Sequence, residues 1–451
     1  MSDEYDVIVI GAGPVGENVA QYVTEASDLS AVLIEKELAG GECSYYACMP
    51  SKALLRPVEI ANDSVDLQGI SDASVQVEEL LKRRDEWVSH YDDASQVEWA
   101  DGIGVPVVRG AARLSGERKV QVDGRTIAAR KAVVVATGST PVIPPEYADV
   151  CAWGSRDATG VVDVPERLAI VGGGVVACEA ATWMRALGSE VTMLVRGDSL
   201  LTNQEPFAAE TVLKSLRDSG VDVRLEANVT SCERPDASDT GLGRVHGGAV
   251  TVTVDDQKLE FDEILLAVGR RPRLGEIGLD ALDLTDDPDA WPDWLIAVGD
   301  ASGEAPLTHW GKYRARGIGA RLAGAAEPEP ADVPVPQVVF TEPQIAQVGP
   351  LRKDLDEVEV VRVPFNSAAG AALLRDHVQG QAQLLVDRKD RVVRAATFVG
   401  PGAGELLHAA TIAIVGRVPV HVLRHAVPSY PTASELWLRL LEELPRQYRR
   451  G

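Results

Sequence analysis

Residues 5–16 read YDVIVIGAGPVG. Six residues of mostly apolar, β-branched character run without alternation, which suits a strand buried on both faces of a parallel sheet. Glycines follow at once at 11, 13 and 16, and a helical pattern continues to residue 26. AVLIE at 31–35 predicts the next strand and ends in an acid. Strand, G-x-G-x-x-G, helix, strand and acid together form the dinucleotide-binding fingerprint. In it Gly11 makes the tight turn, Gly13 lets a pyrophosphate approach the backbone, and Gly16 lets helix and strand pack closely. The helix N-terminus then faces the phosphates, and Glu35 is placed for the ribose hydroxyls.

The unit returns about 160 residues later, a spacing that suits separate domains. LAIVGGGVVACEAA (168–181) runs an apolar strand into Gly172-x-Gly174, and EVTMLV (190–195) is the following strand. Two dinucleotide sites in one chain suggest that electrons pass between two cofactors. KAVVVATGSTP (131–141), DEILLAVGRRP (262–272) and LIAVGDAS (295–302) each read as a strand running into a glycine turn, the last carrying Asp300. AGAAEPEPADVPVP (323–336) reads as a linker. A mixed strand–helix region follows and closes on the helix ELWLRLLEEL.

Composition narrows the function classes. The 451 residues suffice for two to four domains, and 45% hydrophobic content provides for buried cores. A net charge of −24 argues against a nucleic-acid partner, since phosphates would be repelled, and it suits a salty or acid-rich proteome. No run is long and apolar enough for a membrane span, and the opening MSDEYDVIVIGAG has no signal-peptide pattern. Five cysteines are too few for a disulfide scaffold. The expectation is a soluble cytoplasmic protein without membrane attachment.

Two of those cysteines stand in GGECSYYACMPSKALL (40–55). A metal site, a structural staple and a reactive disulfide are the possible readings. A zinc site would need four ligands, and no second Cys or His pair stands at ligand spacing. Cys43 and Cys48 enclose four residues, so a bridge between them would close a small, exchangeable ring. Pro50 suits the first turn of a helix, which puts Cys48 near a helix N-terminus that favours thiolate. Lys52 follows on the same helix face. Cys151, Cys178 and Cys232 stand singly, and Cys178, within a helix, reads as small core filler.

GAGPVG, GGECSYYACMPSK, ATGSTP, GGGVVACE, AVGRRP, AVGDAS and YPTASE occur in the order found in the flavoprotein disulfide reductases, relatives of glutathione reductase, dihydrolipoamide dehydrogenase and mercuric reductase. The chain resembles that family over nearly its whole length. The resemblance implies an α/β fold of two nested Rossmann-like dinucleotide-binding domains plus a C-terminal α+β dimerisation domain. The FAD domain would span 1–147 and 268–325, the NAD(P)H domain 148–267, and the homodimer-forming domain 334–451. FAD would meet Gly11, Gly13, Gly16, Glu35, Gly41, Lys52, Thr137, Gly138 and Asp300, and the nicotinamide nucleotide Gly172, Gly174, Ala177, Arg196 and Gly269. Cys48 would face the flavin, Cys43 would be the interchange thiol, and Lys52 would pair with Glu179. Tyr45 and Tyr46 stand where the family usually has Asn-Val, either as packing or as the lining of a pocket for a flat substrate.

Two departures bear on substrate and cofactor. The second strand ends in Val195-Arg196 rather than in the acid that would hold an NAD ribose, which favours NADPH with NADH possible. Disulfide-using members end in His-Pro-x-x-x-Glu, and here the segment reads Tyr430-Pro431-Thr432-Ala433-Ser434-Glu435. A phenol ordinarily ionises near pH 10 and is a poor base at neutrality, while His425 is off the matching position and reads as structural. The expected activity is that of an FAD-dependent NAD(P)H oxidoreductase. It would reduce a non-standard small-molecule acceptor: a quinone, a metal ion or an unusual disulfide. The alternatives are a conventional disulfide reductase with a substituted acid/base at Tyr430, beside Glu435, and a redox-sensing flavoprotein.

Overall fold

The computed structural model describes residues 3–449 apart from 26, 66, 72, 327, 329 and 331. Three residues of the stretch 323–336 therefore lie outside the described residues. The chain groups into two units, one of residues 1–51, 82–142 and 269–329, the other of residues 52–81, 143–268 and 330–451.

In the first unit, β1 (Glu4–Ile10) leads through the glycine turn into α1 (Pro14–Glu25) and on to β2 (Ala31–Glu35). The sheet is completed by β3 (Val107–Arg109), β4 (Arg113–Gly116), β5 (Lys119–Val122) and β6 (Arg125–Val135). The order is β3-β2-β1-β6-β5-β4, with Leu295–Ala297 paired parallel to β6. β1 is buried from Tyr5 to Ile10 because parallel neighbours flank it: Val9 is in register with Leu33 of β2 and with Val134 of β6. This burial explains the unbroken apolar run. α2 (Gly41–Tyr45) and α3 (Cys48–Val65) follow β2. The sequence reading held no helix at 41–45; five residues opening on glycine carry no periodic signal.

The second unit repeats the strand–turn–helix pattern. Strands Asp222–Arg224, Glu190–Leu194, Arg167–Val171 and Glu263–Leu266 lie in that order, all parallel. The helix Val175–Ala186 follows Gly174. Nearer the C-terminus, five antiparallel strands run Gln337–Val339, Gln344–Val348, Val393–Gly400, Gln381–Asp387 and Val358–Pro364. The helix Glu435–Glu443 lays Leu436, Trp437, Leu440 and Leu441 against a core containing Phe365 and Phe398. Among the described residues no helix is long and apolar enough to cross a membrane.

Candidate functional site

The first fingerprint turn is shaped by backbone contacts. Gly11 has φ +103°, and a Cβ there would lie 2.4 Å from the Ala136 carbonyl oxygen. A Cβ on Gly16 would lie 2.0 Å from the Gly11 carbonyl oxygen. Glu35, buried at the end of β2, accepts from the Ala12 N–H at 2.7 Å and from the Glu37 N–H at 2.8 Å. The acid thus braces the turn, and each carboxylate oxygen keeps a lone pair for a further donor.

The cysteine segment lies directly on this turn. The Gly40 N–H donates to the Ala12 carbonyl at 2.7 Å, and a Cβ on Gly41 would come within 2.7 Å of Gly13 Cα. These backbone-lined surfaces form a cradle that side chains would fill. Such a cradle fits a dinucleotide pyrophosphate, with Pro14 opening the helix that faces it. Glu42 on α2 sits 3.6 Å from both Arg270 and Arg273.

Cys43 and Cys48 are present as two free thiols. Cys48 opens α3, where first-turn amides favour a sulfur anion, and its Sγ is 3.4 Å from Thr308 Oγ1. The Cys48 sulfur beside it, and then burial, hold the Cys43 proton on well above the usual thiol range, while Thr308 and Lys312 pull the other way.

The remaining predicted contacts of this unit are hydrogen-bonded. Ser139 Oγ donates to Asp300 at 2.6 Å, and Arg270 Nε donates to Ser139 Oγ at 2.8 Å. Thr137 Oγ1 donates to the Arg273 carbonyl at 2.6 Å, the Arg273 N–H to Gly138 at 3.0 Å, and the Val142 N–H to Gly269 at 3.0 Å. Gly138 and Gly269 both adopt positive φ, +73° and +125°, where their chains leave β6 and the strand Glu263–Leu266. Glu17, in the first turn of α1, escaped the sequence reading. One of its carboxylate oxygens is buried without a partner. Burial raises its pKa to about 7, with Lys312 opposing and Glu35 adding to the shift. Protonated, it does not repel an anion at the turn.

In the second unit, Lys52 Nζ lies 2.8 Å from Glu179 Oε2 and 4.6 Å above the Phe340 ring, and Glu179 Oε1 accepts from the Phe340 N–H at 3.0 Å. The buried carboxylate is thus satisfied at both oxygens. Phe340 was not legible from sequence, because it arrives from 161 residues away. Gly172 has φ +125°, and a Cβ there would lie 2.4 Å from the Ala267 carbonyl oxygen. Gly174 caps the helix Val175–Ala186 with open space beside it, and Ala177 is buried. This glycine-lined helix start fits a second dinucleotide. Arg196 is exposed and makes no ion pair among the described residues.

At the C-terminus the expectation needs correcting. Glu435 is buried and accepts from the Gly370 N–H at 3.4 Å, and no hydrogen bond joins it to Tyr430 among the described residues. Tyr430 is 77% exposed. His425 is also exposed.

The chain matches the pyridine nucleotide-disulphide oxidoreductases over residues 5–288 and that family's dimerisation domain over residues 335–440. It belongs to this family and is an NAD(P)H-dependent flavoprotein oxidoreductase. It is 30% identical to a dihydrolipoyl dehydrogenase of Haloferax volcanii, over 97% of this chain and 95% of that protein. A dihydrolipoyl dehydrogenase of Thermus scotoductus is also 30% identical, over 98% of each chain. Among solved structures, the Cu(II) complex of the HOCl-induced flavoprotein disulfide reductase RclA from Escherichia coli superposes with a TM-score of 0.84 at 23% identity, over 99% of this chain and 100% of that one. LpdA from Mycobacterium tuberculosis gives 0.82 at 23% identity, over 97% and 99%. These structures share its fold.

Proposed function

We propose that the protein takes electrons from NADPH and passes them through FAD and the Cys43–Cys48 pair to an acceptor other than a simple aliphatic disulfide. The observation that carries this reading is Tyr430, an exposed phenol at the position where disulfide-reducing members have an imidazole. The bound flavin supplies a two-electron store between nicotinamide and thiols. Gly11, Gly13, Gly16, Gly41 and Glu35 would hold it, with Thr137, Gly138 and Asp300 beside them. Gly172, Gly174, Ala177, Gly269 and Arg196 would receive NADPH, Arg196 through the 2′-phosphate. Lys52, fixed by Glu179, follows Cys48 by one turn of α3 and supports negative charge there. By the family resemblance Cys48 faces the flavin and Cys43 is the thiol that meets the acceptor.

Reducing a disulfide requires protonating a leaving thiolate and deprotonating an incoming thiol. General acid–base help of this kind is worth about 10²–10⁴-fold. A quinone or a metal ion needs no such base. The exposed apolar side chains Leu373, Leu374, Ile412, Val415, Val422 and Val427 support a homodimer formed by the C-terminal region, in which Tyr430 would lie near the partner.

Steady-state turnover with a panel of acceptors tests the reading. Wild type should reduce a quinone readily and oxidised glutathione or lipoamide poorly, and Tyr430→His should raise disulfide reduction more than quinone reduction. Brisk wild-type reduction of a small disulfide would overturn it. That outcome would favour the second reading, a lipoamide-type disulfide reductase, to which the 30% identity with dihydrolipoyl dehydrogenases points.

A further inference from the structure

Four residues separate the two thiols, and two of them are tyrosines. Tyr45 is core: its ring is buried, burial raises its pKa to about 12, and its hydroxyl donates to the Asp92 carbonyl at 3.4 Å. Tyr46 is only half-buried, and its ring stacks on Tyr91, centroid to centroid 5.6 Å with planes 29° apart.

Tyr91 reaches that position through an unusual backbone. Ser89, His90 and Tyr91 are three consecutive non-glycine residues in the left-handed region, at φ +50°, +51° and +60°. Each is strained there by its own Cβ, and such strain persists only where the surroundings over-determine it. The surroundings here are the cysteine segment itself. Beyond the Asp92–Tyr45 bond, Asp93 accepts from the Ala39 N–H and from Arg109, both at 2.6 Å, and Val88 anchors the other end in the core. Ser89 and His90 are exposed, and of the three strained residues only Tyr91 is partly buried. What the turn achieves is to set the Tyr91 ring against that of Tyr46, which stands between the two redox thiols in the sequence.

We infer that Tyr46 and Tyr91 form a specificity-determining aromatic platform beside the Cys43–Cys48 pair, and that it selects a planar aromatic acceptor of the quinone class; this rests on the acceptor reading proposed above. Electron-rich phenol rings stack offset on a flat, electron-poor ring and offer little to an aliphatic disulfide or a metal complex. The exchange balances without another reactant. The two thiols lose two electrons and two protons as the Cys43–Cys48 bond forms, and the quinone takes up the same two electrons and two protons to become a hydroquinone.

The test uses the flavin-loaded enzyme with saturating NADPH, a water-soluble naphthoquinone and ferricyanide as alternative acceptors, and calorimetric binding of redox-inert naphthalene sulfonate. Tyr91→Leu should lower the quinone-to-ferricyanide ratio of kcat/KM about five- to tenfold, mainly through KM, and weaken naphthalene sulfonate binding by a similar factor. Tyr91→Phe should keep both. His90→Gly, which relieves strain without touching the rings, should keep the ratio and raise the melting temperature. An unchanged ratio together with unchanged naphthalene sulfonate affinity in Tyr91→Leu would overturn the platform, leaving the pair a loop brace. If Tyr91→Leu fails to fold, Tyr46→Leu is held to the same two readouts. A wild type that reduces no quinone at all would sink the acceptor reading instead, and the naphthalene sulfonate affinities would then decide the platform alone.

Discussion

The two glycine turns share a first residue and part company at the third. Gly11 and Gly172 both adopt positive φ, +103° and +125°, and a Cβ on either would lie 2.4 Å from a carbonyl oxygen, that of Ala136 or Ala267. Each of those carbonyls opens a later motif, ATG or AVG, which explains why the motifs recur in pairs. The Gly11 and Gly172 N–H groups donate to the carbonyls of Ile34 and Leu194, the corresponding residues of the neighbouring strands. At the third position the first copy allows no side chain, whereas the second buries a methyl group at Ala177. The next strand ends in a buried acid braced to its turn in one copy and in an exposed arginine in the other. The turn is dictated by backbone packing and therefore repeats; the strand end is under no such constraint and varies.

That contrast can be broken most sharply at the glycines. Gly16→Ala forces a methyl group against the Gly11 carbonyl at 2.0 Å and should cost more than about 3 kcal/mol, read as lost flavin and a collapsed melting temperature. Gly174→Ala meets nothing within 4 Å and should cost under about 1 kcal/mol, weakening only the nicotinamide nucleotide. Equal effects at the two positions would contradict the packing account.

A smaller effect is expected at Arg196. Replacing it with Glu should remove a charge-assisted contact worth roughly 1.5–3 kcal/mol, so kcat/KM should fall about ten- to a hundredfold for NADPH and little for NADH. A wild type that already prefers NADH tenfold would show that this strand end does not read the 2′-phosphate.

The smallest effect concerns Glu17, which has no counterpart in the second copy, where Cys178 follows Ala177. Its pKa is raised to about 7, so its stabilising contribution is complete below the ordinary carboxyl range and is lost as pH rises through 7. Glu17→Gln should therefore change little near pH 4.5 and gain about 1–2 kcal/mol by pH 8, with part of the carboxyl within reach of water. Melting temperatures of the two proteins across that range should diverge with rising pH, and a constant offset would refute the shift.

Much of this was legible in the sequence because it is local. β1 and β2 announce themselves by apolar runs, and Gly11, Gly16 and Gly172 by spacing. What escaped depends on partners distant in the chain or on backbone without periodicity. Thr308 meets Cys48 across 260 residues. Phe340 lies under Lys52 only because a strand near the C-terminus brings it there. The turn 89–91 carries none of the glycines that usually signal left-handed backbone. Glu435 kept its motif position, yet its carboxylate turned to the Gly370 amide, a partner no spacing rule could supply.

The central claim is that Cys43 and Cys48 act as a second two-electron store beside the flavin. Anaerobic titration with NADPH, followed by absorbance and by counting thiols, tests it most directly. Wild type should take up two hydride equivalents per bound flavin, and Cys43→Ser and Cys48→Ser, each retaining flavin, should take up one. A wild type that stops at one equivalent, or either variant reaching two, would contradict it.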